Sequence, residues 1–155
     1  MEAAVKTFFS SPYFAVVGAS QNPAKFGHKV FAWYVAHSLP ASPINPTSPA
    51  IDLASTSHPT VASVSALPSP EQTSISIITP PAVTIKVLEE AKAAGVPAVW
   101  LQPGTFDDKV LNFAKKEFQA AVGGDGGWGS EGWCVLVDGE WGLELAGRNW
   151  KKQRI

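Results

Sequence analysis

The stretch Tyr13-Phe14-Ala15-Val16-Val17-Gly18-Ala19-Ser20-Gln21-Asn22-Pro23-Ala24-Lys25-Phe26-Gly27 decides the fold. Its first five residues are an apolar run without polar alternation, the mark of a strand covered on both faces. Gly18 stops the run. From Phe26 to Ser38, apolar residues at 26, 30, 31, 34 and 35 then take a helical spacing. The same alternation continues down the chain. Ile75-Ser76-Ile77-Ile78-Thr79 is β-branched and halts at Pro80-Pro81, so it reads as a strand. Val83, Val87, Leu88, Ala91 and Ala94 form a helical stripe closed by Gly95. Val96 to Leu101 is again an apolar strand, and Phe106, Val110, Phe113, Ala114 and Phe118 give the next helix. Trp133-Cys134-Val135-Leu136-Val137 reads as a further strand. Strand and helix taking turns predicts an α/β fold, a doubly wound parallel sheet with helices on both faces. The 155 residues predict one domain spanning 1–155.

Composition narrows the classes. Charged residues make up 16% of the chain against 45% hydrophobic, and the net charge of −1 supplies no basic field for a phosphate backbone. Nucleic-acid binding is disfavoured on that ground. The single Cys134 forbids an intramolecular disulfide, and a free thiol fits a reducing compartment. The first twelve residues lack a basic, apolar leader, and no apolar run reaches the ~18 residues of a membrane span. A soluble, cytoplasmic protein is expected. Nine of the thirteen prolines lie between Pro40 and Pro81, which predicts short extended pieces and turns there. Residues 123–132 hold six of the thirteen glycines and read as a mobile surface loop. The tail 133–155 is rich in tryptophan. Covering the last sheet edge is its expected use; a protein-binding patch and a homodimer contact are the other uses open to it.

In doubly wound sheets ligands bind outside the carboxyl ends of the strands, where strand order reverses, so those ends hold the candidate site. Gly18 allows a tight turn, and the free N–H groups opening the next helix, with Lys25 beside them, suit a phosphate. The loop is neither a Walker A motif nor a full G-x-G-x-x-G, because Ser20 stands at the second glycine position. After the second strand Asn45-Pro46 stand where a nicotinamide dinucleotide fold places an acid, with Asp52 several residues further on. Thr79-Pro80-Pro81 offers a rigid apolar wall with one hydroxyl. Gln102, before Pro103-Gly104, offers a donor and an acceptor above the sheet.

Together these ends carry a resemblance. Val16-Val17-Gly18-Ala19-Ser20 with Asn22-Pro23 and Lys25-Phe26-Gly27, then Ile44-Asn45-Pro46, Ile78-Thr79-Pro80-Pro81, Glu90-Ala91, Gly95-Val96 and Val99 to Gly104 resemble the stand-alone CoA-binding domain proteins. That Rossmann-like family is related to the CoA-binding domain of the succinyl-CoA synthetase alpha subunit. The resemblance covers roughly residues 13–120 and implies a single Rossmann-like doubly wound parallel sheet of about five strands. It implies that CoA or an acyl-CoA binds at Gly18, Ala19, Ser20, Gln21, Asn22, Lys25, Phe26, Gly27, Asn45, Pro46, Thr79, Pro80, Pro81, Gln102, Pro103 and Gly104. Asn45 to Pro49 contains no cation, which predicts that dephospho-CoA binds nearly as well as CoA.

No catalytic residue is assigned. Cys134 reads as a small hydrophobe inside a buried strand. His28, His37 and His58 are scattered, no Ser-His-Asp order or nucleophile elbow appears, and no Cys/His spacing suggests zinc. His28 reads as an exposed helix residue, Asp107-Asp108 as first-turn acids, and Lys151 to Arg154 as a frayed end. Two alternatives stand beside the CoA binder. One is an NAD(P)-type dinucleotide binder or oxidoreductase, opposed by the missing acid after the second strand. The other is a protein-interaction module with a vestigial nucleotide site.

Overall fold

The computed structural model describes all 155 residues. Its centre is a five-stranded parallel sheet of β1 (Tyr13–Val17), β2 (Ala41–Ile44), β5 (Thr73–Ile77), β6 (Ala98–Leu101) and β7 (Ala120–Val122), in the order β2-β1-β5-β6-β7. A separate antiparallel hairpin, β3 (Ala50–Leu53) with β4 (Thr56–Pro59), follows β2. The helices are α1 (Glu2–Phe9), α2 (Phe26–Ala36), α3 (Pro81–Ala94), α4 (Asp108–Glu117) and α5 (Val135–Leu145). From β1 the chain runs out to β2 on one side, then returns to build β5, β6 and β7 on the other. Strand order therefore reverses between β1 and β5, and a crevice opens at their carboxyl ends.

Side chains alternate across the sheet and divide the core in two. Phe14, Val16, Ala98, Trp100, Ala120 and Val122 face α1, α2 and α5. Ala15, Val17, Ile75, Ile77, Val99, Leu101 and Ala121 face α3 and α4. The first face is aromatic. Trp100 is fully buried and meets Phe8 at 5.5 Å and Phe9 at 5.8 Å, both edge-on. Such pairs add about 0.5–1.5 kcal/mol each beyond their buried area. The serines of β5 reach into this apolar face and are paired: Ser76 with the Tyr34 hydroxyl at 2.7 Å, Ser74 donating to the Phe8 carbonyl at 2.8 Å. Burial pushes the Tyr34 hydroxyl well above its ordinary range.

Several expectations are corrected. Trp133–Val137 is not a strand; Cys134 caps α5 and the fifth strand is the short Ala120–Val122. The cause is Asp138, whose carboxylate reaches back to the Cys134 N–H at 3.0 Å and favours a helix start. Residues 123–132 lie at the surface as expected, with 125–128 exposed, and are tied to the body by specific bonds. The buried Asp138 also accepts from the Trp128 N–H at 2.8 Å, and Trp133 N–H donates to the Gly124 carbonyl at 3.0 Å. The tail covers a face, not the sheet's edge: Trp133, Trp141 and Trp150 pack against the core beneath α5 and α2. Nor is the end frayed, since Gln153 is bonded through its N–H to the Ala36 carbonyl at 2.7 Å. In α3 the buried stripe is Thr84, Leu88 and Ala91, while Val83 is exposed. Asp107 is the cap of α4, accepting from the Val110 N–H at 2.9 Å, and only Asp108 lies in its first turn. The proline-rich region does form short extended pieces, β2 to β4, followed by two single 3-10 turns.

Candidate functional site at the strand ends

The crevice begins with two close backbone contacts. Gly18 has φ +94°, and a Cβ there would lie 2.4 Å from the Ile78 carbonyl oxygen. A Cβ on Gly27 would lie 2.0 Å from the Gly18 carbonyl oxygen. These two glycines press the start of α2 onto the ends of β1 and β5; their role is helix–strand packing. The packing aims the first turn of α2 across the crevice. The N–H groups of Ala19, Ser20, Gln21, Phe26 and Gly27 donate to no acceptor in the protein. Lys25, exposed at the cap, adds a positive charge beside them.

Internal bonds fix the loop. His28 is half-buried, with Nδ1 2.8 Å from the Ser20 carbonyl, so it is a loop anchor and not a free surface residue. Ser20 Oγ accepts from the Asn22 N–H at 3.1 Å, and Asn22 Oδ1 accepts from the Ala24 N–H at 3.0 Å. Asn45 donates to the Ala19 carbonyl at 2.8 Å while its Oδ1 accepts from Thr47 and Ser48. Its amide is thus spent on joining the β1 and β2 loops. Pro46 follows it at the surface. Gln21 grips the hairpin: Nε2 donates to Asp52 Oδ2 and Oε1 accepts from the Asp52 N–H, both at 2.6 Å.

On the β5–β6 side lies a cavity of about 400 Å³ lined by Phe26, Ile78, Thr79, Pro80, Pro81, Pro103, Gly104, Thr105, Glu131 and Cys134. Six of the residues singled out from the sequence meet here, namely Phe26, Thr79, Pro80, Pro81, Pro103 and Gly104. The Thr79 and Thr84 hydroxyls lie 2.8 Å apart, fixing the corner into α3. Gln102 is fully buried beneath this wall. Its Oε1 accepts from the Val135 N–H at 3.0 Å, tying β6 to α5, and its Nε2 is the one buried side-chain polar atom without a partner. An orphaned buried donor costs about 1–3 kcal/mol; Gln102 has no exposed surface and does not line the cavity, which its neighbours Pro103 and Gly104 do.

Ile78, Thr105, Glu131, Cys134 and Asp52 were not among the residues selected from sequence. Ile78 directly precedes Thr79 and Thr105 directly follows Gly104, so both were within reach of the pattern; Glu131, Cys134 and Asp52 depend on the docked loop, the start of α5 and the hairpin. Burial raises the Cys134 thiol above its ordinary range, outweighing the helix N–H groups that lower it. Lys29 lies elsewhere, in a cleft between α2 and α5 with Leu136 and Glu140. Arg148 donates to the carbonyls of Phe9, Ser11 and Pro12 at the amino end of β1, the opposite end of the sheet.

A conserved hypothetical protein of Pyrococcus furiosus is 30% identical over 70% of this chain and 90% of its own, with TM-score 0.63. A hypothetical protein of Pyrococcus horikoshii shares the fold at 19% identity and TM-score 0.72, covering 92% of each chain. A Thermus thermophilus protein does so at 24% identity and TM-score 0.65, over 79% of this chain and 90% of its own. No curated protein matches the sequence. The model of the CoA binding domain matches residues 13–132, which hold all five sheet strands and every residue of the crevice except Cys134, and the chain belongs to that family.

Proposed function

We propose that the protein binds CoA or an acyl-CoA in this crevice. The observation that carries the reading is the row of unpaired N–H groups at Ala19–Gln21 and Phe26–Gly27, with Lys25 beside it, opening next to a mostly apolar cavity. Those donors and that charge suit a diphosphate. The cavity between Phe26, Ile78 and the two proline corners suits the pantetheine arm and a short acyl group. Of the selected residues, Gly18, Gly27, Asn45 and Gln21 shape the site; Lys25 and the loop N–H groups make the contacts.

The test is isothermal titration of wild type and Lys25→Ala with CoA and NAD. Lys25→Ala removes one charge-assisted contact, so CoA affinity is expected to fall roughly ten- to a hundredfold without vanishing, because the backbone donors remain. Tight NAD binding with no CoA heat rejects the reading.

A further inference from the structure

Residues 38–70 contain no lysine or arginine and a single charged residue, Asp52. The β3–β4 hairpin carries that carboxylate back onto the β1 loop, where Gln21 holds it through two bonds of 2.6 Å. Ser57 stands opposite it in the hairpin register. Asp52 is exposed, and the hydroxyl of Ser57 and the amide of Gln21 keep its carboxyl below the ordinary range, so it is charged at neutral pH.

No lysine or arginine forms an ion pair with it, and His58 on the adjacent strand adds only the smallest of the effects that lower its carboxyl. Arg154 borders the hairpin, but on the face of Leu53, Thr56 and His58, opposite to Asp52 and Ser57. His58 packs edge-on against Phe31 on that same opposite face, 5.2 Å between ring centres. Lys29 and Arg148 are turned to other parts of the molecule. In sheets of this kind the adenosine ribose lies beside the first loop on the side of the second strand, where an acid accepts from the ribose hydroxyls. Asp52 occupies that side although it lies beyond the strand end from which such an acid normally comes.

We infer that Asp52 reads the adenosine ribose and selects a cofactor whose ribose carries free hydroxyls, so that dephospho-CoA binds more tightly than CoA. The inference rests on the crevice being a CoA-type site. A free 2′,3′-diol donates to the carboxylate; a 3′-phosphate replaces one donor by a like charge at short range.

Isothermal titration of the full chain with dephospho-CoA and CoA, which differ only in that phosphate, tests it. Wild type is expected to bind dephospho-CoA about tenfold tighter. Asp52→Asn keeps an oxygen for Gln21 at an exposed position, and the preference is expected to narrow below about threefold. Asp52→Lys is expected to reverse it. A wild-type ratio near one, or a ratio that Asp52→Asn leaves unchanged, overturns the inference while the CoA-site reading stands. Silence of both ligands rejects both readings.

Discussion

Gly27 and Gly104 make opposite demands, although both lie at the crevice. A Cβ on Gly27 would lie 2.0 Å from the Gly18 carbonyl oxygen and 3.0 Å from its carbon, and backbone cannot swing aside. Gly27→Ala is expected to lower stability by about 2–3 kcal/mol in urea unfolding. Gly104 has φ +84° with nothing within 4 Å, so Gly104→Ala carries only the left-handed backbone penalty, about 1–2 kcal/mol. Equal costs at the two positions would show that α2 does not rest on β1 as described. Cys134 supplies a second residue-level prediction. Burial raises its pKa, so the reactive thiolate is scarce at neutral pH. Labelling by a thiol reagent is expected to be slower than for a free peptide thiol at pH 7.5, and to keep accelerating above the pH where that peptide levels off. Labelling at the peptide rate would contradict the buried placement.

At the scale of elements, α5 and the glycine-rich loop stand or fall together through Asp138. Its carboxylate accepts from Trp128 and Cys134, and Gly127 lies so close that a Cβ there would be 2.6 Å from Asp138 Oδ2. Asp138→Ala strands two N–H donors and is expected to cost about 3 kcal/mol, with proteolysis concentrating in residues 124–131. A variant that melts with wild type and resists protease there would refute the docking. This element also shows where the sequence is ambiguous. Tyr13–Val17, Ile75–Ile77 and Ala98–Leu101 are strands as their apolar runs indicate, because helices cover both faces. Trp133–Val137 has the same local composition yet opens a helix, since the deciding bond comes from a side chain four residues past the cap. The strand Ala120–Val122 is too short and alanine-rich to announce itself. In the site, the loop glycines, the proline corners and Gln102 were legible because turn chemistry is local. Asp52 was visible only as an acid out of place, and its position depends on a hairpin register that periodicity does not encode.

For the whole molecule, the reversal of strand order between β1 and β5 is what gathers distant segments. Residues 18–27, 78–81 and 102–105 reach one crevice only because the chain builds β2 on one side and β5 to β7 on the other. The aromatic layer beneath α1, α2 and α5 supports that arrangement from one face and holds Trp100 fully buried at its centre. No helix is long and apolar enough to cross a membrane. Another cleft, between α2 and α5 and lined by Ala32, Leu136, Val137 and Lys152, is the competing location for a ligand. Hydrogen–deuterium exchange with and without saturating CoA separates the two directly. The backbone groups of Ala19–Gln21 and Phe26–Gly27 have no partner in the free protein, so binding in the crevice is expected to slow exchange in peptides covering 18–27, with further protection in 78–84 and 102–106. Protection confined to α5 and the C-terminal tail, with residues 18–27 unchanged, would contradict the account.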